Sequence, residues 1–230
     1  QQLEDYTAAR SRAYSNPNAV SLTVGNFSHW SFASYIPIAK RVVLEWFDIH
    51  LKGNVSAGNG NGLPVRLFVM QKFGVGKWIS LPDWPPPTVE KKELFLSLDN
   101  TLQYHLEPNM DGVEQYVYDP RDPTPSVGGP SFDPSNAGPR DQRRFENRKD
   151  VVVFTTSELK EEVEICGYPR LVLYVSTDAA STDFVGRLCD VFPNGMSVNV
   201  CDGLVRIEGG LEAETTPGRN VVTPLEGRDG

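Results

Sequence analysis

From Pro64 to Ile207, short runs rich in β-branched and aromatic residues alternate with Pro, Gly and Asp turns, about ten times in succession. Few folds accept that pattern. The runs are Val65–Met70, Lys77–Ser80, Glu93–Leu98, Gln115–Tyr118, Val151–Thr155, Val163–Cys166, Leu171–Ser176, Phe184–Val191, Ser197–Val200 and Gly203–Ile207. Each is too short for a stable helix and suits a strand. Many short strands between regular turns predict a mainly β fold, a β-sandwich or jelly roll. Asp119–Asp150 interrupts the series with a long segment rich in Pro, Gly and charge, expected to be an ordered surface loop. Residues after Gly209 carry few apolar positions and are expected to fray.

The first sixty residues have a different texture. Leu3–Tyr14 has helical spacing and stops at Ser15-Asn16-Pro17. Ala19–Val24 suits a short buried strand, broken by Gly25-Asn26. Ile38–Lys52 is the clearest helix, with Ala39, Val42, Val43, Trp46, Phe47 and Leu51 recurring at three and four and Gly53 as its stop. Asn54–Leu63, rich in Gly and Asn, reads as a linker. The division expected is therefore an α/β segment over 1–60 and a β domain over 61–230.

Charge narrows the partners. Lys+Arg 22 against Asp+Glu 30 leaves a net −8, which argues against nucleic acid and against anionic membrane surfaces. No apolar run approaches the ~20 residues that span a bilayer. The start Gln1-Gln2-Leu3-Glu4-Asp5 has no signal-peptide character and no initiator Met, so the chain is expected to begin inside a longer protein. Cys166, Cys189 and Cys201 form neither a disulfide framework nor a zinc pattern. Read as buried reduced thiols, they favour a cytoplasmic setting. No cofactor motif is present, and none is expected.

Among residues that can carry chemistry, His29 stands out. It lies five residues beyond Val24, in the loop where open α/β sheets place their ligands. A histidine there can serve as the base of a Ser-His-Asp triad, although many loop histidines are simply solvated. His50 on the helix and His105 in a polar turn read as residues without chemistry. The nucleophile pattern G-x-S-x-G does not occur. In α/β-hydrolases the triad runs Ser, Asp, His along the chain, so the partners of His29 would lie upstream of Gln1.

Other clusters have simpler readings. Asp178, Ser181 and Asp183 have a spacing that oxygen ligands of calcium can share, but turn chemistry explains them as well; no metal is expected. Arg140, Arg143, Arg144, Arg148 and Lys149 are interleaved with Asp141, Glu146 and Asp150, which suits a solvated or docking face. Trp78, Trp84 and Tyr104 could stack on a sugar or a substrate ring, or fill a core or a domain seam.

Six segments, in order, resemble one family, the CocE/NonD serine hydrolases, related to X-Pro dipeptidyl-peptidases, esterases of the cocaine-esterase type and α-amino-acid ester hydrolases. Glu45 to Gly53 resembles the family's WFD-x-x-LKG helix end. Pro64 to Met70, with Trp78 and Asp83-Trp84-Pro85, resembles the start of its C-terminal domain. Tyr116 to Pro125 with Gly128-Gly129 resembles its YDP-x-DP…GG signature. Asp141-Gln142-Arg143, Val151–Thr156, and Thr182-Asp183-Phe184 with Asp190-Val191 continue the match.

This resemblance implies an α/β-hydrolase domain, of which 1–60 is the C-terminal tail, followed by a galactose-binding-like jelly roll. It implies acyl transfer on small-molecule esters or X-Pro peptides. Gly25-Asn26-Phe27-Ser28-His29 is similar to the family's GPW-x-H motif, which gives His29 the general-base role. Asn26 replaces the usual Pro and Phe27 the usual Trp, which bears on the rigidity of the loop. Leu3-Glu4-Asp5-Tyr6 is similar to the helix that follows the catalytic Asp, so Asp5 is not the triad acid. The Ser and the Asp belong to an upstream hydrolase domain, and the isolated chain is expected to be inactive. The competing readings are a non-catalytic sugar- or protein-binding β-sandwich and a degenerate fragment.

Overall fold

A computed structural model describes residues 2–13, 19–54, 63–72, 75–105, 112–208, 211–216 and 219–224. Helix α1 (Gln2–Arg12) carries Glu4 and Asp5 in its first turn and Arg10 and Arg12 in its last, the arrangement that suits the helix dipole. Three strands follow: β1 (Leu22–Val24), β2 (Val65–Lys72) and β3 (Val75–Leu81). β1 pairs parallel with β2, Leu22 opposite Val65, and β2 pairs antiparallel with β3. Parallel neighbours require a crossover, and helix α2 (Phe32–His50) lies on that connection. One hydrogen-bonded sheet thus runs across residue 60. The linker residues 55–62, and the stop expected at 15–17, lie outside the described residues.

α2 begins six residues before the expected Ile38. Its first turn is anchored by Ser31, whose carbonyl accepts from the Ser34 and Tyr35 amides at 3.1 and 2.8 Å. Pro37 lies inside the helix and offers no N–H to the Ala33 carbonyl. Close to the N-terminus and on an exposed stretch, water can satisfy that carbonyl. At the other end Gly53 adopts φ 68°, and the Asn54 amide reaches back to the Asp48 carbonyl at 3.0 Å.

The main core is small and is built from both sides of residue 60. Tyr6, Leu22, Val65, Leu67 and Trp84 are buried together, with Leu3, Val20, Val24, Ile79, Leu81 and Cys166 packed around them. Tyr6 donates to Asp83 at 3.1 Å, and Arg10 lies 3.6 Å from the same carboxylate. Burial, reinforced by the Asp83 charge, pushes the Tyr6 hydroxyl up to about 12. A raised folded-state value means that the neutral phenol stabilises the fold. That stability is fully present below the ordinary tyrosine value near 10 and is lost as pH rises from there through about 12. Stability measured by urea unfolding should fall over that window, and Tyr6→Phe should flatten the fall. An unchanged alkaline limb in Tyr6→Phe would show that another group controls it.

The remainder is β-rich. β4 (Phe95–Leu96) pairs with β5 (Leu102–Gln103), β6 (Ser181–Val191) with β7 (Ser197–Glu208), and β8 (Leu211–Thr216) with β9 (Arg219–Pro224), all antiparallel. Helix α3 (Arg143–Glu146) is a single turn within the long loop. The described strands thus form one three-stranded sheet and three two-stranded ribbons.

Several expectations change. Residues 115–118, 163–166 and 172–176 lie in no ladder among the described residues, and of 151–155 only Thr155 bridges, to Thr101. Apolar alternation reports a pleated surface, whereas a ladder also needs a neighbour presenting its backbone. The runs expected at 197–200 and 203–207 are one strand: Cys201 and Asp202 pair with Leu188 and Arg187, and the ladder resumes at Asn199 opposite Cys189 after a one-residue register shift at Val200. The segment expected to fray after Gly209 pairs as β8 and β9. Backbone pairing of this kind does not require apolar side chains.

Much apolar surface is open. No residue of α2 is buried, and Val43, Leu44, Phe47 and Leu51 are all exposed. Val185 on β6, Leu204 on β7, and Val172 and Tyr174 in the extended run are exposed as well. Exposed apolar side chains, where they gather into a patch, are what further structure packs against.

Candidate active-site loop

The loop joining β1 to α2 is folded around Gly25 and two serines. Phe27 turns back so that its ring lies over Gly25; a Cβ there would sit 2.2 Å from the ring. The ring stands edge-on to Tyr35 of α2 at 5.7 Å and 6.5 Å from Trp78 of β3. Trp78 in turn contacts Phe68 at 5.4 Å, and the Arg66 guanidinium lies 4.7 Å over its ring. Phe27 therefore anchors the loop as an aromatic, the role open to a Trp at that position. The Ser28 and Ser31 hydroxyls share a hydrogen bond of 2.9 Å, and the Ser31 hydroxyl accepts from the Ser28 amide. The Ser31 side chain is thus turned into the loop instead of capping α2.

His29 sits at the tip of this turn and is exposed. Its ring makes no hydrogen bond to a serine or a carboxylate among the described residues. Its neighbours are aromatic: Trp30 at 5.3 Å, Phe32 at 6.1 Å and Phe132 at 4.8 Å between ring centroids. The Trp30 indole N–H donates to the Phe132 carbonyl. Phe132 comes from the 119–150 loop, and sequence reasoning did not single it out. The only signal was an aromatic three residues beyond Gly128-Gly129 in an otherwise polar stretch. His50 packs on Trp46 at 4.5 Å, and His105 is an exposed bend residue.

The other candidates have structural employment. Asp183 gives both carboxylate oxygens to Arg206, each at 2.7 Å, and no cluster of His, Cys, Asp and Glu fit for a metal occurs among the described residues. The arginines of the basic cluster work locally. Arg140 donates to the Ser135 carbonyl at 2.7 Å, Arg143 pairs with Asp141, and Arg148 pairs with Asp150 and Asp122. The Arg143 and Arg148 guanidiniums hold the Asp141 and Asp150 carboxyls down at about 2. Trp84 is a core residue whose indole donates to the Tyr168 hydroxyl at 2.9 Å, whereas Tyr104 is exposed. Burial pushes the thiols of Cys166, Cys189 and Cys201 up, which keeps them protonated and poor nucleophiles.

Residues 61–219 match the family described as X-Pro dipeptidyl-peptidase C-terminal non-catalytic domain. The chain is 35% identical over 209 residues to cocaine esterase of Rhodococcus sp. (strain MB1 Bresler), covering 81% of this chain and 36% of that protein. It is 28% identical over 185 residues to candidate serine esterases of Mycobacterium bovis and Mycobacterium tuberculosis, covering 78% of this chain and 28% of each relative. The chain spans about a third of the length of the curated relatives it matches. With more than half of its residues inside the matched segment, the chain belongs to the X-Pro dipeptidyl-peptidase C-terminal domain family and is a CocE/NonD-type sequence.

Proposed function

We propose that this chain is the C-terminal part of a serine hydrolase acting on esters or X-Pro peptides, in which His29 is the general base. The observation that carries the proposal is the position of His29. It follows a parallel strand, on a tight loop, at the start of the crossover helix. A loop beyond the end of a parallel strand is the kind of place where α/β folds build their sites, which supports the reading. The imidazole would take the serine proton during attack and return it to the leaving group.

The serine and the aspartate would come from an upstream hydrolase domain. Two features fit such a neighbour. β1 has β2 on one edge and no strand on the other among the described residues, so a parallel sheet can continue there. The exposed apolar side of α2 matches what a crossover helix turns toward its sheet. The β-rich part would complete a jelly roll around the open faces of β6, β7 and 163–176 and would itself be non-catalytic, as the matched family's description states. That description also favours a second reading, a purely non-catalytic module that supports or binds a partner.

The isolated chain should neither turn over an activated ester nor be labelled by a serine-directed phosphonate, while the longer protein does both. Phosphonate-sensitive turnover by the chain alone would overturn the assignment of the nucleophile to an upstream segment. Absence of both activities in the longer protein would favour the non-catalytic reading.

A further inference from the structure

His29 owes its surroundings to a distant part of the chain. The nearest ring to its imidazole is Phe132, at 4.8 Å and 61° to it. The Phe132 carbonyl accepts from the indole of Trp30, the next residue in the His29 turn. Two contacts of different chemistry thus join adjacent residues of one loop to a single residue of another.

The loop that presents Phe132 is closed and clamped. Gly129 and Gly138 exchange backbone hydrogen bonds of 2.8 and 2.9 Å at its base. Gly128 has φ 81°, and a Cβ there would meet Asn199 Oδ1 at 2.6 Å, so the signature glycine pair is required by the closure. Asn136 accepts from the Gly128 amide and donates to the Ser126 carbonyl. Asn199 of β7 accepts from the Arg140 amide at 2.6 Å and from Gln142 Nε2 at 3.2 Å. Gln142 is 2% exposed; its Nε2 also reaches the Val127 and Arg140 carbonyls, and its Oε1 accepts from Arg187. A fully buried glutamine inside a polar surface loop fixes the loop base to the β6–β7 ribbon.

We propose that the 129–138 loop is a positioning element for His29: Phe132 sets the plane of the imidazole, and the Gln142–Asn199 pair holds the loop in place. This deepens the general-base reading and rests on it. A base must be held within a few tenths of an ångström and about 10–20° of its working geometry, and the His29 turn supplies no hydrogen bond that would do so.

Two sets of measurements separate the contact from its catalytic meaning. In NMR spectra of this chain, Phe132→Ala should displace the His29 ring-proton signals, which lie in the ring current of Phe132. Phe132→Tyr should leave them near their original positions. Asn199→Ala, remote from His29, should displace them too. Because Asn199 is buried, the exposed Phe132 decides the matter if that variant does not fold. Signals unmoved by Phe132→Ala overturn the proposal whatever His29 does. In the longer protein, Phe132→Ala should lower kcat roughly ten- to a hundredfold with KM little changed, and Phe132→Tyr should restore it. If His29→Ala abolishes turnover while Phe132→Ala leaves kcat intact, the positioning role is overturned alone. If His29→Ala leaves turnover intact, the general-base reading falls and the positioning role falls with it, although the NMR contact would persist.

Discussion

On the proposed general-base role, His29→Ala in the proposed parent hydrolase is expected to lower kcat by about four to six orders of magnitude with KM little changed. The size follows from the proposed role. Without a base the serine proton has no acceptor, and the residual rate comes from binding and oxyanion stabilisation alone. The fold should not notice. His29 is exposed and makes no hydrogen bond among the described residues, so the urea-unfolding curve of the variant should overlay that of the unaltered protein. A loss of less than about tenfold would mean that another group takes the proton. A loss accompanied by a shifted unfolding midpoint would mean that the loop matters for folding, and the kinetic argument would lose its force.

Trp84→Ala should destabilise the chain by about 3–5 kcal/mol. Trp84 is one of five residues in the main buried cluster, and that cluster is the packed joint between α1 and β1 on one side and β2 and β3 on the other. Deleting the indole leaves a cavity and removes the donor to the Tyr168 hydroxyl, 2.9 Å away. Domains of this size are commonly stable by only about 5–15 kcal/mol, so the variant should be largely unfolded at moderate urea. Trp78→Ala provides the contrast. Trp78 is half-buried in the aromatic group behind the His29 loop, and its loss should cost less. Equal midpoints for the two variants would show that the joint is not where the stability resides.

What the sequence discloses and what it hides divide along a physical line. α1, α2, β2, β3, β6 and β7 follow from local periodicity, because the residues that set the period also make the element. The start of α2 escapes that logic. Its first turn is closed by the backbone of Ser31, and Pro37 reads as a barrier although it is only a missing donor. The runs at 115–118, 163–166 and 171–176 have strand composition, yet of these only Leu171 forms a bridge among the described residues; pairing depends on distant backbone, which a local pattern does not carry. β8 and β9 fail the apolar test and pair nonetheless. The same division holds at the site. Gly25, Phe27 and His29 are adjacent, so their motif can be read from the sequence. Phe132 reaches His29 only because Gln142, Asn199 and two glycines close a loop a hundred or so residues away, and no local spacing announces that.

The linkage between the two halves bears on how such a protein works. The sheet and its core cross residue 60, so the α/β segment and the β-rich segment share one packed joint. A second contact, Trp30 to Phe132, joins them at the loop that bears His29. A family described as non-catalytic would then still shape catalysis through the geometry it imposes on a histidine outside the matched residues.

The most direct test is an experimental structure of the longer protein, read at one distance. The account predicts that His29 Nε2 lies about 2.6–3.2 Å from the Oγ of an upstream serine, with a carboxylate on Nδ1. A His29 ring facing solvent, with another histidine beside the serine, would contradict it.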